Sequence, residues 1–231
     1  MEFENKALTK DDTLVKYFNI GVTNALSKYF DVKCCEKGHE WFEPWNGHFR
    51  KSFSLFAPKG TRYPILWGYN ADFIPSRQNS GKFIYFRTEK AGKVHVEDSF
   101  FNHVHYDPDK MTHMETYNIR GEYCLTMYND HLDLKDIEAA YKYAEEITLR
   151  NIPFMLKYYE QVKTVDDMIN FLDNHIEPDN LFHSYNLYYE KAFLLAYKKQ
   201  MDEAINTLRK IHPDYVDDEI LKRLHKAYEL E

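Results

Sequence analysis

The hydrophobic period of the chain changes near residue 132. Before that point one helical stretch leads into text of period two; after it the period stays near 3.6 to the end. One regular element cannot hold both periods, so the chain must combine a sheet with a helical segment. Leu14, Val15, Phe18, Val22, Ala25, Leu26 and Tyr29 recur at helical spacing and predict a first helix from Asp12 to about Phe30. Thr9, Asp11 or Asp12 can cap it, and Gly21 is unfavourable inside it. From Val32 to about Thr126, "HFRKSFSLF", "YPILWGYNADFI", "KFIYFRTE" and "EYCLTMY" read as strands, separated by the turn text "EPWNG", "APKGT", "PSRQNSG" and "EKAGK". Short connections favour antiparallel pairing, and the lack of helices between these strands disfavours a parallel sheet. The expected fold is α+β. An N-terminal helix packs on an antiparallel sheet of about five or six strands over residues 1–131, and an all-α helical bundle follows over 132–231.

In the second half, Asp133 is the expected cap of a helix carrying Leu134, Ile137, Tyr141 and Ala144. Asn151 is read as the cap of a further helix, with Pro153 in its first turn, a place proline tolerates. Thr164 followed by Asp167 has the form of a capping box, and Asp217 precedes the last helix, with Ile220, Leu221, Leu224 and Tyr228 on one face. Between them, Tyr188, Ala192, Leu195, Ala204, Leu208 and Ile211 fall at the spacing of a tetratricopeptide-like hairpin near 182–212. Small residues at Ala192 and Ala204 let two antiparallel helices approach closely. Displaced by 34 residues, the pattern does not recur, and a solenoid needs about three units.

Charge and composition narrow the function classes. A net charge of −7 with no basic stripe argues against nucleic acid, whose phosphates supply most of the affinity in such complexes. Only 8 glycines are present, with no phosphate-binding or dinucleotide fingerprint. The 3 cysteines, two of them adjacent (Cys34 and Cys35), do not make a disulfide framework, which points to a reducing compartment. The N-terminal text has no signal-peptide pattern and no apolar run approaches the ~18 residues of a membrane span, so a soluble, cytoplasmic protein away from membranes is expected.

Aromatic residues make up 16% of the chain. Most should fill the sheet–helix interface. Trp41 and Trp45 flank the turn-like "FEP" and are expected to be exposed; with Arg77 they form the candidate partner-binding set, since interfaces enrich tryptophan and arginine. The stretch "FFNHVHYDPDKMTH" offers a second candidate. His103 and His105 lie on one face of an extended segment and, with Asp107 and a third histidine such as His95 or His113, could ligate a divalent metal such as zinc. The same stretch also reads as a polar loop after a strand, with "DPDK" as turn text. "HVHYDPD" superficially resembles the start of the metallo-β-lactamase-like motif, over five residues, with Asp109 one place late and the partner loops missing. Cys34, Cys35 and His39 lack the second ligand pair of a structural zinc site and read as inert thiols.

The order of a helix, then "VKCCEKGHEWFEPWNGHFRKSFSLF", then "PILWGYNADFIPSR" resembles an uncharacterised bacterial domain family of unknown function, with Asn70, Asp72 and Phe73 at its asparagine–aspartate–phenylalanine segment. The resemblance covers about the first 130 residues; Cys34 and Cys35 interrupt the family's basic strand. Related domains are grouped with the immunity proteins of polymorphic toxin systems, so the resemblance implies a non-catalytic, toxin-neutralising protein and transfers no catalytic residue. The leading expectation is therefore an intracellular protein-binding module without cofactor, whose acidity suits a basic protein partner. A metal-dependent hydrolase using His103, His105 and Asp107 is one alternative. A small-ligand binder on an aromatic sheet face is the other.

Overall fold

The computed structural model describes residues 11–35, 39–55, 63–77, 81–90, 92–104, 107, 109–125 and 137–230. In chain order the elements are α1 (Asp11–Leu26), β1 (Lys33–Cys34), β2 (Glu40–Phe42), β3 (Phe49–Leu55), β4 (Tyr63–Ala71), β5 (Ser76–Arg77), β6 (Phe83–Ile84), β7 (His95–Asp98), α2 (His113–Tyr123), β8 (Cys124–Leu125), α3 (Ile137–Gln161), α4 (Val165–His175), α5 (Leu181–Tyr197), α6 (Met201–Arg209) and α7 (Asp218–Tyr228). The fold is α+β, as expected. The expected boundary near 132 lies outside the described residues. One compact unit is Met1–Asn70 with Arg87–Tyr158, and the other is Ala71–Phe86 with Tyr159–Glu231.

The first unit is built on a six-stranded sheet in the order β1-β2-β3-β4-β7, with β8 also pairing to β4. The pairings β1–β2, β2–β3's register Trp41↔Phe53, β4–β7 and β4–β8 are antiparallel. Alternation in β3 buries Phe53 and Leu55, and β4 buries Ile65 and Trp67. Helix α1 covers the sheet with Val22, Ala25 and Leu26, all fully buried. Gly21 is placed there by necessity: a Cβ on it would lie 2.5 Å from the Tyr141 carbonyl oxygen and 2.9 Å from Ala144 Cβ, so only glycine lets α1 and α3 come this close. Asn24 and Lys28 both donate to Glu145 Oε1, at 2.5 and 2.6 Å, along the same seam.

Two expectations for this unit are corrected. The start of "EYCLTMY" is helical: residues 113–123 form α2 and, among the described residues, Cys124–Leu125 pair with β4, while Thr126, Met127 and Tyr128 lie outside the described residues. Thr112 accepts from Glu115 N–H while Glu115 reaches back to Thr112 N–H, a capping box that fixes the helix start. Asn151 does not cap a new helix either. It is buried inside α3, which runs through Pro153. Proline removes the bond that would reach the Leu149 carbonyl. Asn151 Nδ2 meanwhile donates to the Ile147 and Tyr123 carbonyls at 2.9 and 3.0 Å.

The second unit carries the small β5–β6 ribbon, with registers Ser76↔Ile84 and Arg77↔Phe83, and helices α4 to α7. Helix α5 packs on α4, α6 and α7. Ala192 and Ala204 are fully buried, as close helix packing requires. Thr164 and Asp167 form the expected capping box and Asp217 accepts from Ile220 N–H. Helix α5 ends on Lys199, held at φ 66, where Lys199 N–H and Gln200 N–H return to Ala196 and Leu195 carbonyls, both at 2.9 Å. This is the two-bond left-handed cap usually built on glycine. Among the described residues no helix is long and apolar enough to cross a membrane.

Candidate functional site

The three residues expected to bind a partner fall in both units, Trp41 and Trp45 in the first and Arg77 in the second. Trp41 is fully buried, contrary to the expectation of exposure: it faces α1, and its Nε1–H donates to Thr23 Oγ1 at 2.7 Å. The sequence "EWFEPW" reads as a turn, but Trp41 lies within β2 at the inward phase of the pleat. Trp45 is half-buried in the turn before β3 and lies over the guanidinium of Arg50, 4.3 Å from ring centroid to Cζ. Arg77 belongs to the second unit.

Around Arg77 the second unit assembles an aromatic and acidic patch. The guanidinium lies 5.6 Å from the centroids of both Phe83 and Tyr215 and pairs with Asp217 at 2.7 Å. The Asp217 carboxyl is held below the ordinary carboxylate range, first by the Ile220 backbone N–H and then by Arg77. Arg223 repeats the arrangement one helical turn along α7, over Phe83 at 5.2 Å and Tyr85 at 5.9 Å, with Glu219 as its ion pair. Tyr185, 38% exposed, shares a 2.5 Å hydroxyl contact with Tyr215 and meets its ring edge-on. Burial first, and then the Tyr185 hydroxyl, push the Tyr215 phenol well above its usual range. Tyr189 anchors the patch from below, donating to the Pro75 carbonyl at 2.8 Å. Asp214, almost fully exposed, and Asp218 extend its acidic edge.

The histidine-rich stretch resolves differently. His105 lies outside the described residues. Asp107 pairs with Lys110 at 2.7 Å and closes a turn through Asp109 N–H. His113 is the exposed first residue of α2, and His95 is fully buried in β7. Among the described residues no group of three or more potential ligands forms. His103 instead pairs with Asp98, which the sequence reading did not single out. Its Nε2–H donates to Asp98 Oδ2 at 2.6 Å, while Asp98 Oδ1 accepts from Ser99 N–H and Asn102 Nδ2 at 2.8 and 2.7 Å. The imidazole stacks between Trp67 and Phe154, with centroids 6.0 and 5.2 Å away. Asp98 is positioned by an irregularity in β7: Trp67 pairs with Asp98 and Tyr69 with His95, so β7 carries one residue more than β4 between these pairs. Within the bulge Val96 sits at φ 51, a conformation that costs a β-branched residue energy. Its carbonyl accepts from Tyr158 at 2.5 Å. A Cβ on Gly68 opposite would fall 2.7 Å from that same oxygen.

Comparison of the chain with models of protein families, with curated proteins and with solved structures finds no match.

Proposed function

We propose that the chain is a non-catalytic protein-binding module whose contact surface is the aromatic and acidic patch of the second unit, and that it takes a basic segment of a protein partner. The observation that supports this reading is Arg77 itself. It sits against Tyr215 and Phe83 with Asp217 on its edge, so the patch has the chemistry that receives a guanidinium. Tyr185, Tyr215, Asp214 and Asp218 repeat that chemistry towards solvent, and tyrosine and arginine dominate interface energetics. The net charge of −7 favours encounter with a basic partner. A cytoplasmic, toxin-neutralising role is the setting suggested by the immunity-type resemblance. The α5–α6 hairpin is the scaffold that carries Tyr185 and Tyr189.

The test is a comparison of variants. A lysine- and arginine-rich peptide should bind the wild-type chain more tightly than its glutamate-substituted counterpart. The double substitution Tyr185→Ala and Asp214→Lys should weaken binding at least tenfold, whereas Trp45→Ala in the first unit should leave it unchanged. Equal binding of both peptides, or no loss in the double variant, sinks the assignment.

A second reading, a metal-dependent hydrolase centred on His103, is favoured by one observation. A carboxylate on one ring nitrogen is the usual outer partner of a metal-bound histidine, and Asp98 holds Nε2 in that way. Nδ1 has no protein partner among the described residues. One equivalent of zinc after dialysis against a mild chelator, lost in His103→Ala, would support it; a metal-free protein removes it.

A further inference from the structure

Arg50 is 2% exposed and Asn70 is fully buried. The guanidinium is clamped between Phe42, 3.7 Å from ring centroid to Cζ, and Trp45 at 4.3 Å. Nε–H donates to Asn70 Oδ1 at 3.0 Å and Nη2 to the Thr88 carbonyl at 3.2 Å. A guanidinium carries five N–H donors, so these two bonds leave most of its outer edge unused. Nη1 has no protein partner and Arg50 makes no ion pair among the described residues. Glu40 and Glu89 act on it only through space. Glu40 Oε2 is taken by Gly92 N–H at 2.7 Å and by Cys35 Sγ at 3.6 Å, and Glu89 faces Lys33 at 3.6 Å. Burial draws the Arg50 pKa down to about 10, against the pull of Glu40, so it is still charged at neutral pH. Beside it, Asn70 Nδ2 is buried with no hydrogen-bond partner.

A buried cation with no ion-paired carboxylate among the described residues, reached by Glu40 and Glu89 only through space and next to an orphaned amide donor, has unused donors that an acceptor would complete. Both rings lie against the guanidinium, and the N–H groups left for an acceptor are those of its Nη edge. That edge matches the two oxygens of a carboxylate, held in one orientation by the stack. We propose that Arg50, Asn70 and Trp45 form a site for one carboxylate, carried by a small acid or by the free end or side chain of a peptide.

The test follows the Arg50 Nε–H resonance by NMR, assigned by its loss in Arg50→Lys, while acetate replaces chloride at constant ionic strength and pH 7. A saturable shift with acetate, absent with chloride alone, is expected. A short peptide with a free C-terminus, compared with its amidated form, separates the sources: a response that amidation abolishes assigns the site to a peptide end, and one that survives assigns it to side-chain or small-acid carboxylates. Because Arg50→Lys can disturb folding, Asn70→Asp gives an independent reading. It sets a carboxylate of nearly the same shape against Arg50, and should abolish acetate binding and raise the melting temperature. Identical responses to acetate and chloride overturn the proposal, as does an Asn70→Asp variant that is less stable and still binds acetate.

Discussion

Thr164 and Asp217 close the N-termini of α4 and α7 with their own side chains, and Lys199 and Gln200 close the end of α5 with backbone bonds. In the sheet unit, by contrast, Asn70 Nδ2 and Trp67 Nε1 are buried donors without acceptors and Arg50 is buried without an ion pair, all among the described residues, and Val96 is held in the left-handed region. The helix ends of the second unit are closed by short-range bonds. The polar groups of the sheet unit named here depend instead on partners from separate strands, and Val96 adds strain. Such features concentrate where a fold does more than hold itself together.

That contrast can be broken by substitution, starting where the effect should be greatest. Trp41→Ala removes a fully buried indole and its bond to Thr23, and should cost roughly 3–5 kcal/mol in urea unfolding; a loss under 1 kcal/mol would mean that the residue is a surface anchor after all. Asp98→Ala leaves His103, Asn102 and Ser99 N–H without their acceptor. About 2–3 kcal/mol should be lost, and a near-neutral result would show that water replaces the carboxylate.

The pH dependence isolates one buried group of the sheet unit. Burial, with Lys93 adding to it, holds His95 well below the ordinary imidazole value of about 6.5. The unfolded chain takes up a proton as pH falls through 6.5, while the folded chain does not. Stability should therefore be complete above that pH and decline below it, by at most about 1.4 kcal/mol per pH unit. His95→Gln should flatten this limb between pH 6.5 and 5; an unchanged slope assigns the limb to another group. The smallest effect belongs to the helical unit. Thr164→Ala should cost about 1 kcal/mol. It also removes the largest cause of the lowered Asp167 pKa, its hydrogen bond to Thr164. The stabilising share of Asp167 is present above the ordinary carboxylate range and lost as pH falls through the lowered value, so the variant should show less acid sensitivity below pH 4.

The same contrast governs what was legible beforehand. Caps at Thr164 and Asp217, the stripe of α7 and the small residues of the α5–α6 hairpin are short-range patterns, and all can be read from the sequence. Helix α2 was missed although Thr112 and Glu115 spell its capping box, because the β-rich "EYCLTMY" just beyond dominated the local pattern. Pro153 suggested a helix start that α3 overrides, since packing of its buried face outweighs one missing bond. Trp41 was placed on the surface by turn-like neighbours, whereas its burial follows from pairing with Phe53 in β3. The Asp98–His103 pair depends on a bulge, and the Arg50–Asn70 pair on two strands meeting side by side. Neither spacing has a local signature, so the histidines drew notice while their partners did not.

The ribbon of β5 and β6 belongs with helices α4 to α7, which are made well after it, and Arg77 meets Asp217 across 140 residues. At roughly 5–20 residues per second on the ribosome, that separation means a wait of about 7–30 s. Throughout it "FIYF" has its strand partner β5 and Arg77, but neither Arg223 nor its final acidic edge. The nascent chain thus carries an aromatic ribbon whose helical cover is missing until α7 has been made, which makes that interval the one in which this segment most needs a chaperone.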